Sequence, residues 1–449
     1  METLSEQNSI PSTKVQRAMR FVKTGAQIGG NYIKHYSKKI VDPSLSKDEL
    51  HENNANDVYN ALSELKGSAL KVAQMLSMEK NILPKQYTNK FQMAQYSAPP
   101  LSGPLIVQTF IKSFGKTPQE LFDTFDMKAA NAASIGQVHQ ASLNGQLLAV
   151  KIQYPGVAES IKSDLKIVKP IAFRLLDMNE SELEKYIQEV ETKLLEETDY
   201  ELELNRSIEI TQACKNIPNL VFTNYHKAFS SKRVLTMDWL SGFHLDKFLS
   251  TNPSQAIKNQ IGQAMWDFYD TQVHELKAVH ADPHPGNFIM QTDGQLGVID
   301  FGCVKEIPED FYLNYFALLI PEIVQDNSMI RKIMLQQEII TDNDSQEVQQ
   351  EITDAFVKMT TLLRKPFDEA QFDFGNDAYI NQIYAMAEEV SKIEVLKKSK
   401  VGRGSQHALY INRTYFGLYS LLNMLNAQIH TGTQSWKRTL KNYHLSSVN

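Results

Sequence analysis

Asp282, Asn287 and Asp300 are the residues of this chain whose types and spacing could do chemistry. Two of them lie in His280-Ala281-Asp282-Pro283-His284-Pro285-Gly286-Asn287 and the third opens Asp300-Phe301-Gly302. Amide and carboxylate oxygens are hard donors suited to Mg2+. A second carboxylate beside such a pair can orient a hydroxyl or a water, or accept its proton. The same stretch can be read as an H-x-D-x-H transition-metal cluster of His280, Asp282 and His284. That segment holds no cysteine or further histidine to complete it, so the Mg2+ reading is preferred and His280 is expected to brace the loop.

These groups need elements to hold them. Asp293-Gly294 followed by Gly297-Val298-Ile299 predicts a turn and a short buried strand that delivers Asp300 to a cleft. An Asp, then an Asn, then Asp-Phe-Gly is the order used by protein-kinase-type phosphoryl-transfer sites, in which the Asn and the last Asp bind metal. Upstream, Asn144-Gly145 between two apolar-alternating segments predicts a β-hairpin. Its second strand, Ala149-Val150-Lys151, matches the strand whose lysine pairs with nucleotide phosphates. The loop before the hairpin should cover those phosphates through Ala132, Ala133, Ser134 and Gly136. Alanine disfavours φ > 0, so Gly136 is the position expected to keep that freedom.

Lys151 requires a carboxylate to orient it. Glu197, in Glu196-Glu197-Thr198-Asp199 at the end of an acidic amphipathic helix, is the expected partner, with Asp199 close by. Glu182, Glu184, Glu189 and Glu191 read as that helix's solvated face. Val234–Leu240 predicts a strand leaving the small lobe, where backbone groups of Met237 and Asp238 could read adenine. After Asp300 the chain passes Cys303–Pro308 and turns into a helical segment at Phe311–Val324. It has no long activation segment and no A-P-E, and so lacks the platform that holds peptide substrates.

Bulk properties narrow the classes. The chain has 449 residues, 42% hydrophobic and 22% charged, enough for a substantial core. A net charge of −6 and a pI near 6.0 argue against a general nucleic-acid binder. Cys214 and Cys303 are the two cysteines and imply no disulfide framework. The polar N-terminus lacks the features of a signal peptide. Tyr315–Val324 and Tyr415–Ile429 are too short or too interrupted to span a bilayer. A cytoplasmic protein is expected. One segment complicates this: between Glu6 and Asp42 there is no acid, while Lys14, Arg17, Arg20, Lys23, Lys34, Lys38 and Lys39 recur. Peripheral contact with an anionic membrane surface is one reading of that segment, and a solvated basic arm is the other.

Together these residues resemble the UbiB/AarF family of atypical protein-kinase-like proteins, which includes the mitochondrial coenzyme Q biosynthesis kinases. The likeness runs over residues 50–430. It rests on Ala132–His139, Lys151–Val157, Glu197-Thr198-Asp199, His280–Asn287 and Asp300–Gly302. The family's KxGQ signature is matched by Lys71-Val72-Ala73-Gln74, with Ala73 in place of the glycine. The loop's Asn131, where the family often has alanine, is a smaller departure. The resemblance implies an α+β, bilobal protein-kinase-like fold with a helical N-terminal extension and a helix-rich C-lobe. The expected division is an arm over 1–46, the extension over 47–100, an N-lobe over 101–237 and a C-lobe over 238–449. In the family the extension folds over the cleft, puts its lysine and glutamine into the site and blocks protein substrates, which assigns those roles to Lys71 and Gln74.

On these grounds the chain is expected to be a Mg2+-dependent, ATP- or ADP-binding atypical kinase or ATPase. It would support isoprenoid-quinone biosynthesis or related membrane-lipid metabolism, with a nucleotide and a lipid or quinone intermediate as partners. Lys151, Glu197, Lys71 and Asp282 would be catalytic, and Asn287 and Asp300 would bind metal. The alternatives are a nucleotide-switched pseudokinase that clamps a partner and a small-molecule phosphotransferase.

Overall fold

The computed structural model describes residues 56–57, 101–132, 135–175, 180–391, 393, 403–432 and 435–446. The basic arm, nearly all of the extension, and with them Lys71 and Gln74, lie outside the described residues, as do Ala133 and Ser134. The chain divides into two compact units. The first takes the described residues up to Asn205 together with Asn224–Trp239, and the second holds Arg206–Thr223 and everything from Leu240 onward. The chain passes from the first unit to the second within a helix after Asn205, returns at Asn224 and leaves again after Trp239.

The first unit opens with α1 (Gly103–Phe114), which carries Pro104 in its first turn. Gly115, at φ 70°, ends it and donates its N–H to the Ile111 carbonyl. That left-handed residue is why the helix stops there and does not run on toward Phe125. A short α2 (Pro118–Leu121) is closed by a capping box between Thr117 and Glu120. Strands β1 (Thr124–Phe125) and β2 (Asn131–Ala132) both pair with β3 (Gly136–Leu143). The β3 strand forms the predicted hairpin with β4 (Gln146–Gln153), in the register Leu143↔Gln146. Its turn residues Asn144 and Gly145 have φ of 51° and 78°, as a tight two-residue turn demands. Ile106 and Phe110 of α1 join Leu148, Val150 and Ile152 of β4 in one core cluster. One face of the sheet is thereby buried, and β4, which carries Lys151, is fixed on it.

Helices α3 (Val157–Leu175) and α4 (Glu180–Glu197) follow, and the chain then breaks before α5 (Tyr200–Cys214). The break has a local cause. The Asp199 Oδ1 accepts the N–H groups of Glu201 and Leu202, both at 3.1 Å, and so caps the new helix. The chain passes through β5 (Leu220–Phe222) in the second unit and returns as β6 (Val234–Asp238), which pairs antiparallel with β4.

In the second unit α6 (Leu245–Ser250) precedes α7 (Gln255–Thr271), which buries Ile261, Met265, Trp266, Phe268 and Tyr269. A π-turn over Gln272–Leu276 leads to β7 (Ala278–His280). Strands β8 (Phe288–Met290) and β9 (Leu296–Val298) form a hairpin, and β5 lies parallel to β9. The expected strand before Asp300 is thus β9. A strand that sequence periodicity did not show, β10 (Val304–Glu306), pairs with β7. Helices α8 (Glu309–Tyr315), α9 (Pro321–Val324), α10 (Asn327–Gln336), α11 (Gln346–Leu363) and α12 (Lys365–Asp368) come next. They are followed by β11 (Gln371–Asp373), α13 (Asp377–Ser391), α14 (Gln406–Met424), β12 (Gln428–His430) and α15 (Ser435–Ser446). Helix α14 ends at Met424. Asn426 takes φ 51°, and Ile429 instead pairs with Phe372 across β11 and β12. No helix among the described residues is long and apolar enough to cross a membrane.

A buried acid in α7 gives this unit a pH signature. Burial, then the Asp267 and Glu275 carboxylates, push the Asp270 carboxyl up to about 7. An unfolded aspartate titrates near 3.9. Between about pH 4 and 7 the native state therefore holds the extra proton, and stability falls as pH rises through that window. Asp270→Asn should be more stable than wild type at pH 8, and the difference should vanish below pH 4. The side chain is 31% exposed, so solvent screening limits the gain to about 1 kcal/mol, or about 2–4 °C in Tm. Thermal melts at pH 4, 6 and 8 check this, and a gain that does not depend on pH would contradict it.

Candidate functional site

In the first unit Lys151 points its ammonium at a carboxylate, and the partner is Glu203. The Nζ donates to Oε1 at 2.7 Å and to Oε2 at 3.0 Å. The two side chains are 14% and 2% exposed. The Tyr200 ring lies 5.0 Å from the same ammonium and adds a cation–π contact. This corrects the assignment of Glu197. Glu197 is the last residue of α4, and the Asp199 cap restarts the chain as α5, in which Glu203 sits in the first turns. Asp199 spends one carboxylate oxygen on that cap.

Gly136 is required here for a different reason from the one expected. Its φ is not in the left-handed region. It sits in β3 opposite Gln153, where an added Cβ would stand 2.6 Å from the Tyr200 hydroxyl and 2.7 Å from the Ile152 carbonyl. The absent side chain lets β3 lie against the residues that flank Lys151. Gly136→Ala should therefore cost about 2 kcal/mol through overpacking, lowering the midpoint of urea unfolding. A variant as stable as wild type would remove this steric reading. Near it, Gln137 and His139 form an inward network. The Gln137 Nε2 donates to the His139 Nε2 at 2.7 Å, and the His139 Nδ1–H donates to the Asp126 carbonyl at 2.8 Å. Burial holds this imidazole below its ordinary pKa, in the neutral form that the geometry requires.

Met237 and Asp238 close β6. Met237 is buried. The Asp238 carboxylate accepts from Gln146, Asn224 and His226, each at 2.6 Å. Its N–H donates to the Asn224 carbonyl, and the Trp239 N–H donates to the Leu147 carbonyl, both at 2.9 Å. The Asp238 N–H is thus engaged within the first unit.

In the second unit the loop after β7 holds Asp282. The Asn287 Nδ2 donates to the Asp282 carbonyl at 2.9 Å. The Ile299 N–H donates to the Asn287 carbonyl at 3.1 Å. The Asp300 Oδ1 accepts the Gly302 N–H at 2.8 Å. The loop and the strand that delivers Asp300 are therefore tied through Asn287. A second tie, from the Ala281 N–H to the Cys303 carbonyl at 2.9 Å, joins the segments flanking them. Phe301 is buried against the rings of Phe222, Phe268 and His280 and anchors the turn.

His280 is itself fully buried and accepts or donates at Nδ1 with the Tyr269 hydroxyl at 3.4 Å. The His284 Nδ1 accepts the Gly286 N–H at 3.0 Å. Both histidines thus have structural roles. No group of three or more metal-ligating His, Cys, Asp or Glu side chains occurs among the described residues.

The Asn287 amide nitrogen is committed to the loop, which leaves its side-chain oxygen as the hard donor. Asp300 is held at one carboxylate oxygen. This donor chemistry fits Mg2+, which takes few protein oxygens and fills its shell from phosphates and water.

One contact was not readable from sequence. The Arg413 Nη2, from α14, donates to the Asp282 Oδ1 at 2.7 Å. Burial pulls the guanidinium down, but the Asp282 carboxylate, with Cys303 and Tyr410 beside it, outweighs this, and its pKa lies above the ordinary value.

Comparison with known proteins bears on this geometry. A model of the ABC1 atypical kinase-like domain matches residues 93–334, which include Lys151, Glu203, Asp282, Asn287 and Asp300. The chain belongs to the ABC1 atypical kinase-like family. Similar curated proteins include the probable serine/threonine-protein kinase abkA of Dictyostelium discoideum, 24% identical over 95% of this chain and 79% of that protein. Another is the mitochondrial atypical kinase COQ8 of Saccharomyces cerevisiae, 26% identical over 94% of this chain and 84% of that one. Among solved structures, the complex of Rv3197 with erythromycin from Mycobacterium tuberculosis matches with a TM-score of 0.57 and 24% identity. It covers 88% of this chain and 98% of that one. The fold is accordingly kinase-like, as the UbiB/AarF resemblance implied.

Proposed function

We propose that the chain is a Mg2+-dependent, ATP- or ADP-binding atypical kinase or ATPase acting in isoprenoid-quinone or related membrane-lipid metabolism. The observation that carries this is the Asn287 side chain, whose nitrogen is bound to the Asp282 carbonyl. That bond leaves the asparagine's side-chain oxygen as the donor a metal would use and ties the residue to the aspartate that would work beside it. Asn287 and Asp300 would hold Mg2+, which supplies charge to offset the phosphates. Lys151, oriented by Glu203, would position phosphate oxygens, and Asp282 would orient the attacking hydroxyl or water. Lys71 and Gln74 from the extension and the Ala132–Gly136 loop would cover the nucleotide. The membrane-lipid setting rests on the family resemblance and the basic segment before Asp42.

Purified full chain with Mg-ATP, with and without anionic liposomes, tests the reading. Phosphate release should be abolished by EDTA and lowered at least 100-fold by Asp282→Asn, in keeping with loss of a positioned acid–base group. Nucleotide binding with no turnover under either condition would replace the enzyme with a nucleotide-switched binding module.

A further inference from the structure

We propose that one face of α14 is the bed on which the Asp282 loop rests, and that Arg413 is the positioning residue for the Asp282 carboxylate. The inference rests on the role given to Asp282 above. Tyr410, Arg413 and Gly417 recur at a spacing that places them on a single helical face, and each meets the loop or its flank. Tyr410 is buried in a cluster with Ala281 and Cys303. Arg413 holds the Asp282 Oδ1 at 2.7 Å, with the two side chains 23% and 17% exposed. Gly417 lies so close beneath Pro283 that an added Cβ would stand 2.2 Å from the Pro283 Cγ and 3.1 Å from its carbonyl oxygen.

The three contacts divide the work. The proline ring fixes φ at position 283, and Gly417 lets the helix approach it until the loop's backbone has one resting place. The side chain of Asp282 would still turn about χ1 and χ2. A charge-assisted bond from a planar guanidinium removes that freedom, and the rigid fork of arginine does so with less entropy lost per bond than a lysine would need. A displacement of about 1 Å at a reacting group costs about 100-fold in rate, so a helix far along the chain sets how well the loop can work. Asn412, beside Arg413, accepts a 2.5 Å bond from the Tyr315 hydroxyl, which pins this part of the helix to α8.

The test uses the full chain as Arg413→Gln, Arg413→Lys and Gly417→Ala, with Asp282→Asn as reference. Expected for Arg413→Gln is a kcat about 10- to 100-fold below wild type and a Mg-ATP Kd within about twofold, with partial recovery in Arg413→Lys. Adding Arg413→Gln to Asp282→Asn should lower kcat no further, since the two act through one carboxylate. Unchanged kcat in Arg413→Gln, or a fully additive double variant, would overturn the inference while leaving the proposed function intact. If Arg413→Gln does not fold, Arg413→Lys and Gly417→Ala carry the same kcat-against-Kd test. A wild type with no ATP turnover would instead sink the enzymatic reading, and amide exchange over residues 281–287 would then decide the positioning claim. Exchange should be faster in Arg413→Gln and restored toward wild type in Arg413→Lys, and equal rates in all three would overturn it.

Discussion

Glu203→Ala is expected to lower both the stability of the first unit and its hold on a nucleotide. The glutamate is 2% exposed and gives both oxygens to the Lys151 ammonium. Removing one partner of a buried ion pair leaves a poorly solvated charge, at a cost of about 3–5 kcal/mol. Glu203→Gln keeps the volume and one acceptor, so it should fold well and report on affinity instead. Its amide cannot offset the lysine's charge or fix the ammonium by two bonds. The Mg-ATP Kd should rise by about 10-fold, the equivalent of one charge-assisted hydrogen bond. Glu197→Gln is the control, because Glu197 ends α4 and lies beyond the Asp199 cap. Equal weakening by Glu197→Gln and Glu203→Gln in nucleotide titrations would show that the α5 glutamate does not set the lysine.

The difference between those two glutamates marks how far sequence could reach. Lys151 was legible because everything that places it is local: an Asn-Gly turn fixes the register of β3 and β4, and alternation then fixes which residues face the core. Asp282, Asn287 and Asp300 were legible for the same reason, lying within one short stretch of chain that is held together by local hydrogen bonds. Choosing between Glu197 and Glu203 required knowing where one helix stops and another starts. The signal was present in Thr198-Asp199 followed by Glu201, an N-cap with acid in the first turn. A run of acidic helix-forming residues on both sides hid it.

Other features depend on partners distant in the chain, which no local pattern reports. Gly136 reads from sequence as the loop position that keeps freedom at φ > 0, yet the constraint comes from the Tyr200 hydroxyl and the Ile152 carbonyl. Arg413 sits on a helix whose mixed apolar and polar pattern gives no hint that one cation reaches a loop 131 positions earlier. Ala427 and Ile429 continue that helix's apolar pattern into β12. The left-handed Asn426 breaks it, and pairing with β11 takes over.

Asp300→Asn carries the largest effect expected on ligand binding. The Asp300 Oδ1 is fixed by the Gly302 N–H, and the Phe301 ring is locked in the core behind it, so the carboxylate is held in place before any metal arrives. An asparagine fits the same space, and its own oxygen can accept that N–H. The fold and the thermal stability without nucleotide should therefore hardly change. The negative charge is lost, however, and a neutral amide cannot offset a divalent cation. A loss of at least 100-fold in Mg-ATP affinity is expected, equivalent to about 2.7 kcal/mol, while affinity for ATP in EDTA should stay as in wild type. Asp282→Asn should behave in the opposite way, keeping Mg-ATP affinity and losing turnover, since its assigned role is to orient the acceptor. Thermal-shift titrations of both variants with ATP, with and without Mg2+, separate the two roles. If Asp282→Asn lost the Mg2+-dependent shift as fully as Asp300→Asn, the metal would have to be reassigned to include Asp282. The Arg413 contact would then be competing with a cation for the same carboxylate.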